Sequence, residues 1–396
     1  MEGIKDKVAI IGMGCCKFGE NWEQSVEDMM IDAAYEAYED AGVGPEDIQA
    51  AWFGNIWLGE TGQILASPLK LRFIPVTHVE NACATGSEAL RGACYAVASG
   101  ACDIALAIGA EKLKDTGFMG LPQTRPIATW SYRMTTQTPP AVFAMMAHGY
   151  FAKYGLSREE GKRLIGLIAV KNHHNGNLSP KAHFHREVTI EEVVRAPMMA
   201  DPLGLYDCCG VSDGAAAAIV TRADWAKRFR SDPIYIKSQQ ICQGPREGWL
   251  NPAAYDFAHV EETYRCGLAA FAEAGIKNPR EEISIAEVHD CFTITELTIM
   301  EDLQFSPRGR VREDIEAGTF ALDGKLPVNT DGGLKCFGHP IGATGLRMMY
   351  EVYKQLQGKA GPRQVKNPRI GLTHNQGGEP GAATVSIAIV GNERDS

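Results

Sequence analysis

Cys83 lies in the run Asn81-Ala82-Cys83-Ala84-Thr85-Gly86-Ser87, small residues that read as a tight turn opening into a helix through Ala89, Leu90, Ala93, Tyr95 and Val97. A cysteine at a helix start meets unpaired N–H groups and the positive end of the helix dipole. Both favour a thiolate, so Cys83 is a candidate nucleophile. A sulfur nucleophile needs a base or a cation beside it, and His289 or His339 can supply one. Cys291, two residues past His289, is a thiol that can shuttle a proton. Glycines at 338, 342, 377 and 378 leave N–H groups uncovered, as an oxyanion hole requires, and His374 stands just ahead of the last two. No Cys-x-x-Cys and no His-Glu-x-x-His occurs, so no metal site is expected. His173-His174, His183, His185, Cys15-Cys16 and Cys208-Cys209 read as loop polar groups and core thiols.

These residues need strands and helices to bring them together. Val8 to Gly14 reads as a buried strand, Ser25 to Asp40 as a helix with Met29, Met30, Ala33 and Ala37 on one face, Ile48 to Gly54 as a strand, and Asp103 to Gly109 as another after the Cys83 helix. Strand alternating with helix implies parallel pairing. The order returns with a strand at Ile234 to Lys237, a helix at Val260 to Ala274 and a strand at Ile283 to His289. Even the connections echo each other, Glu39-Asp40-Ala41-Gly42 beside Glu273-Ala274-Gly275, so an internal duplication is expected. A strand running into a helix at Val288 to Thr293, a glycine-rich loop at Gly332 to Gly345 ahead of a helix from Leu346 to Leu356, and a strand breaking at Gly377-Gly378 place the other candidates at strand ends, where ligands of α/β sheets collect. The first half is interrupted from about Lys114 to Asp201, with helices at Ala141 to Tyr154 and Glu159 to Asn172, and an insertion that long is expected to serve function.

The chain of 396 residues is too long for one ordinary core, and a net charge of -10 argues against nucleic acid or an anionic membrane as partner. No apolar run is long enough to span a bilayer and no secretory leader is evident, so a cytoplasmic protein is expected. Its 11 cysteines, an odd number without regular spacing, suit reduced thiols.

Asn81-Ala82-Cys83-Ala84-Thr85-Gly86-Ser87, His289-Asp290-Cys291-Phe292, Gly338-His339-Pro340-Ile341-Gly342-Ala343-Thr344-Gly345 and His374-Asn375-Gln376-Gly377-Gly378 resemble, in order, the signature stretches of the thiolase superfamily, and more narrowly its sterol-carrier-protein-x branch. The resemblance covers nearly the whole chain. It implies an α/β thiolase fold of two duplicated five-stranded halves in five layers (αβαβα), with residues 1–113 plus 202–228 as the N-terminal half, 114–201 as an inserted loop domain and 229–396 as the C-terminal half. It also implies a dimer or larger assembly. By the same resemblance Cys83 accepts the acyl group, His339 activates it, His289 and His339 hold the thioester oxygen, and the N–H groups of Cys83 and of Gly377 or Gly378 hold the acyl-enzyme oxygen. The second cysteine usual near the C-terminus is absent, which points to Cys291 for proton transfer, with His374 a weaker candidate.

Such an enzyme uses coenzyme A and an acyl-CoA as substrates and cleaves a 3-oxoacyl-CoA by thiolysis, or runs in reverse as a Claisen condensation. Trp130, Tyr132, Met145 and Met146 could line an apolar slot, and Arg125 or Arg133 could pair with an extra carboxylate, so a bulky or aromatic acyl-CoA such as benzoylsuccinyl-CoA is expected. The alternatives are an acetoacetyl-CoA thiolase and a C-acyltransferase with an acceptor other than CoA. Similar thiolases work with a small OB-fold protein bearing a zinc ribbon, and the lack of an obvious basic cluster for the CoA phosphates fits such a companion.

Overall fold

Strand β1 (Val8–Cys15) is buried along its whole length at the middle of a nine-stranded sheet. The computed structural model describes residues 3–58, 61–116, 138–246 and 255–395. From β1 outward on one side come β7 (Gly214–Arg222), β4 (Ile104–Glu111), β2 (Ala50–Gly54) and β3 (Val76–Val79). On the other side come β8 (Ile234–Gln243), β11 (Ala382–Gly391), β10 (Ile370–Glu379) and β9 (Ile285–Val288). The two sides mirror each other. β1–β7 and β7–β4 pair antiparallel and β4–β2 and β2–β3 parallel, just as β8–β11 and β11–β10 pair antiparallel and β10–β9 parallel. The expected duplication is there, with one difference. The fifth strand of the second half shrinks to a single parallel bridge between Val328 and Ala286.

Helix α1 (Val26–Ala41) packs on β1 and β7 from outside, through Met29, Met30, Ala33, Ala34 and Ala37. Ser25 and Asp28 cap its start reciprocally, and Gly42 ends it at φ 68°. Helix α5 (Glu261–Ala274) covers β8 and β11 in the same way. Between them lie α2 (Thr85–Ala98) and α7 (Ile341–Leu356). Helix α7 touches β9 and β10 of its own half and β4 and β7 of the other, which completes the five layers. All of α7 is buried except Tyr350 and Lys354.

Three sequence expectations are corrected here. β1 pairs antiparallel, because β7 is wedged between it and β4. The stretch from Ile341 to Gly345 is the first turn of α7 and not a loop. Its glycines serve close approach: a Cβ on Gly345 would stand 2.3 Å from Ser87 Oγ, and one on Gly86 would stand 2.8 Å from the Gly342 carbonyl, so α2 and α7 meet backbone to backbone. β10 likewise runs through Gly377 and Gly378 and turns only at Pro380-Gly381. Edge strand β3 went unread in the sequence, having only four residues.

α3 (Pro139–Tyr154), α4 (Arg158–Asn177) and the paired strands β5 (Met198–Ala200) and β6 (Leu203–Gly204) lie in the segment between β4 and β7, with Gly155 at φ 67° closing α3, and α6 (Thr293–Asp302) follows β9. No helix among the described residues is long and apolar enough to cross a membrane.

Candidate active site

Cys83 stands two residues ahead of α2, after Ala82, which holds a φ of +47°. A left-handed residue with a Cβ is strained and persists where its surroundings dictate it. Here Glu80 Oε1 accepts the Ala82 N–H at 2.8 Å, and Thr85 Oγ1 accepts the Asn81 N–H at 2.9 Å while donating to the Ala82 carbonyl. The N–H groups of Ala84 and Thr85 are spent on the carbonyls of Asn81 and Ala82, each at 3.0 Å. The N–H groups that reach the sulfur are those of Gly378 and of Cys83 itself.

Cys83 as a residue is half-buried. Burial pushes the thiol up to about 12, against the pull of those two N–H groups. Burial thus opposes the thiolate that a helix start favours, and on the thiol form the proton must leave during attack.

His339 precedes α7 and is buried. Its Nδ1 lies 2.8 Å from Thr344 Oγ1, and that hydroxyl donates its one proton to the Pro340 carbonyl at 2.9 Å. Thr344 can then only accept, so Nδ1 carries the ring proton and Nε2 presents a bare lone pair. No protein group pairs with that Nε2 among the described residues. Burial, aided by the charge of Arg347, pushes His339 down to about 3. Burial drives His289, which follows β9, in the same direction, helped by His339, His374 and Arg347. Both rings are neutral at pH 7. They cross edge to face with centroids 5.3 Å apart, and one donor atom from each of Cys83, His289 and His339 lies within 4.8 Å of the other two. Cys83 from the first half of the chain thus meets His289 and His339 from the second.

Cys291 is buried next to them, its thiol raised first by burial and then by Cys209 and Cys83, with Thr295 Oγ1 4.0 Å from its sulfur. Asp290 joins the segments: it accepts from Leu334 N at 2.6 Å, Lys335 N at 3.3 Å and Asn172 Nδ2 at 2.8 Å, tying the His289–Cys291 stretch to the chain leading to His339 and to α4. Two contributors escaped the sequence reading. Cys209 interacts with both Cys83 and Cys291 although it had read as a core thiol, and Thr344 had no role assigned. The residue pattern offers a signal only for Thr344, five positions after a candidate histidine and on the same helix start.

The remaining candidates divide between the nucleophile's surroundings and other parts of the fold. His374 Nε2 lies 3.0 Å from Thr263 of α5, whereas its neighbour Asn375 accepts from Ser87 Oγ of α2 at 2.6 Å. Because a strand alternates its faces, His374 points to the outer helix and away from Cys83. Gly377 abuts the nucleophile's turn, where a Cβ would stand 2.3 Å from the Asn81 carbonyl and 3.1 Å from Cys83 N. Met146 is sealed in the core, and Met145 is 38% exposed. Consecutive helix residues face different ways, so the two do not line one slot. Arg125, Trp130, Tyr132 and Arg133 lie outside the described residues. A separate cavity of about 700 Å³, lined by Ile168, Lys171, Asn175, Met300 and Phe320 among others, contains none of the predicted site residues.

The description "Thiolase, N-terminal domain" matches residues 8–224, and "Thiolase C-terminal domain-like" matches residues 252–390. The chain is 40% identical over 391 residues to an acetyl-CoA acetyltransferase of Methanothermobacter thermautotrophicus, covering 96% of this chain and 98% of that one. It is 32% identical over 383 residues to the benzoylsuccinyl-CoA thiolase subunit BbsB of Thauera aromatica, covering 95% and 96%. Among solved structures it is similar to the Ltp2-ChsH2(DUF35) aldolase, with a TM-score of 0.87, 24% identity and coverage of 99% and 100%. It is also similar to the acetyl-CoA acetyltransferase from Syntrophomonas wolfei, with a TM-score of 0.71, 20% identity and coverage of 98% and 99%.

Proposed function

The chain belongs to the thiolase family and is an acyltransferase that uses CoA, and from that premise we propose that it carries the acyl group on Cys83 and exchanges it between CoA and the α-carbon of an acyl-CoA. The observation that carries this reading is the meeting of Cys83, His289 and His339 within 4.8 Å. His339 Nε2 takes the thiol proton as the sulfur attacks the 3-keto carbon of a 3-oxoacyl-CoA. The bond between the α- and 3-carbons breaks with its electron pair going to the α-carbon, giving an enolate whose oxygen His289 and His339 stabilise. Cys291, whose raised pKa keeps it a proton donor, protonates that carbon. A CoA thiol then attacks the acyl-enzyme, whose carbonyl oxygen faces the N–H groups of Cys83 and Gly378. Condensation is the same path reversed.

For the acyl group we favour acetyl, so that acetoacetyl-CoA is the 3-oxoacyl substrate, supported by the 40% identical acetyl-CoA acetyltransferase and by the sealing of Met146 in the core. The bulky or aromatic substrate expected from the sequence is the second reading, favoured by likeness to a benzoylsuccinyl-CoA thiolase subunit. A second, small OB-fold subunit also belongs to the proposal, in keeping with the two components of the Ltp2-ChsH2(DUF35) aldolase, as does a homodimer. Thiolysis measured over a panel from acetoacetyl-CoA to aryl 3-oxoacyl-CoAs tests the reading. Acetoacetyl-CoA should give the highest kcat/KM, and a clear preference for an aryl substrate would replace the first reading with the second.

A further inference from the structure

Cys83, His289 and His339 form a donor set that does not depend on which acyl group the enzyme carries. Each of the two imidazoles keeps a buried nitrogen that no protein group pairs with among the described residues, Nδ1 of His289 and Nε2 of His339, and both side chains are at least nine-tenths buried. Unpaired nitrogens of that kind are costly unless something occupies the space in front of them. The sulfur and one nitrogen from each ring lie within 4.8 Å of one another. A tetrahedral zinc ion needs sulfur and nitrogen donors about 3.5 Å apart, as its bond lengths dictate. Binding therefore requires the three donors to draw in from within 4.8 Å of one another.

We propose that this trio is a binding site for a soft divalent cation such as Zn2+, with Cys83 Sγ, His339 Nε2 and a His289 ring nitrogen as ligands, the thiol proton passing to solvent and the fourth position left open. The donor chemistry selects the ion: one sulfur and two imidazoles suit zinc, cobalt and cadmium, whereas magnesium and calcium demand oxygen ligands that this set lacks. A metal-bound histidine needs its other nitrogen held by an acceptor, and Thr344 Oγ1 holds His339 Nδ1 in that way at 2.8 Å. Three protein ligands leave the fourth tetrahedral position for water.

The test is a titration of the full chain with Co2+, followed by its thiolate-to-cobalt charge-transfer absorption. One ion per chain is expected. Cys83→Ser should abolish the band, and His339→Gln should weaken binding at least tenfold. Cys336→Ser is the control, because Cys336 Sγ lies 3.8 Å from His173 Nδ1 and is the rival thiol and imidazole pair. It should leave the band unchanged. A second measurement needs no variant: Zn2+ should slow alkylation of Cys83 in the wild-type chain by iodoacetamide at least tenfold, read by peptide mass spectrometry. A band that survives Cys83→Ser, a band lost in Cys336→Ser, or unchanged alkylation of Cys83 under saturating Zn2+ would overturn the proposal.

Discussion

Thr344 accepts the Nδ1 proton of His339 at 2.8 Å and gives its own proton to the Pro340 carbonyl at 2.9 Å, so one hydroxyl decides which nitrogen of the histidine stays basic. Thr344→Val keeps the branched shape and removes the acceptor. On the proposed mechanism it lowers kcat about tenfold or more with KM little changed, while Thr344→Ser, which keeps the hydroxyl, recovers most of the loss. Steady-state kinetics of the two variants decide the matter, and equal damage from both would show a packing role instead.

The contact of α2 with α7 leaves no room for a side chain. In Gly345→Ala the new methyl would stand 2.3 Å from Ser87 Oγ and 2.4 Å from Ser87 N, so the helices must separate. The expected cost is roughly 1–3 kcal/mol of stability. Because Cys83 sits at the head of one helix and His339 at the head of the other, activity should fall further than stability alone explains. Denaturant unfolding and kcat on the same preparation measure both.

Arg347 is wholly buried, with Nη1 2.9 Å from Glu287 and 2.7 Å from Asp331. Arg347→Met leaves two buried carboxyl groups without their cation and should cost roughly 3–5 kcal/mol. Adding Glu287→Gln and Asp331→Asn to the same chain should return part of that loss, as read from the unfolding midpoint. No recovery would mean that the arginine acts through its packing on Phe337, 5.0 Å from the guanidinium.

Glu111 ends β4, fully buried, and accepts the main-chain N–H groups of Ile56 and Trp57. Burial pushes its carboxyl up to about 8, well above the value of about 4.3 in an unfolded chain. A raised folded pKa means that the native state holds the proton more tightly. Its contribution is complete below about pH 4 and is lost as pH climbs toward 8, at up to about 1.4 kcal/mol per pH unit. Glu111→Gln should flatten the fall in stability between pH 5 and 8. Parallel curves for variant and wild type would rule this out.

Much of this was legible in the residues. The helix at 25–40 announces itself through the apolar face of Met29, Met30, Ala33 and Ala37, and the mirrored halves through their matching Glu-Asp-Ala-Gly and Glu-Ala-Gly connections. Cys83 and His339 stood out because each lies in a glycine-bearing stretch ahead of a helix, and His289 because it lies where a strand runs into a helix. What stayed hidden depends on tertiary contact. Gly342 and Gly345 look like loop residues until Gly86 and Ser87 are seen packed against them. His374 and Asn375 look equivalent until the strand assigns them opposite faces. The thiol's protonation state could not be read either, since burial and the helix end pull it in opposite directions and only the packing says which prevails.

The central claim is that the acyl group rides on Cys83, and trapping it is the direct test. The chain is mixed with acetoacetyl-CoA, quenched in acid and digested, and the peptide bearing Cys83 is weighed. The account predicts an acetyl group on that peptide in the wild type, its accumulation slowed at least tenfold by His339→Gln, and none in Cys83→Ser. Turnover of the substrate with Cys83 unmodified throughout, or with the acyl group found on Cys291 instead, would contradict it.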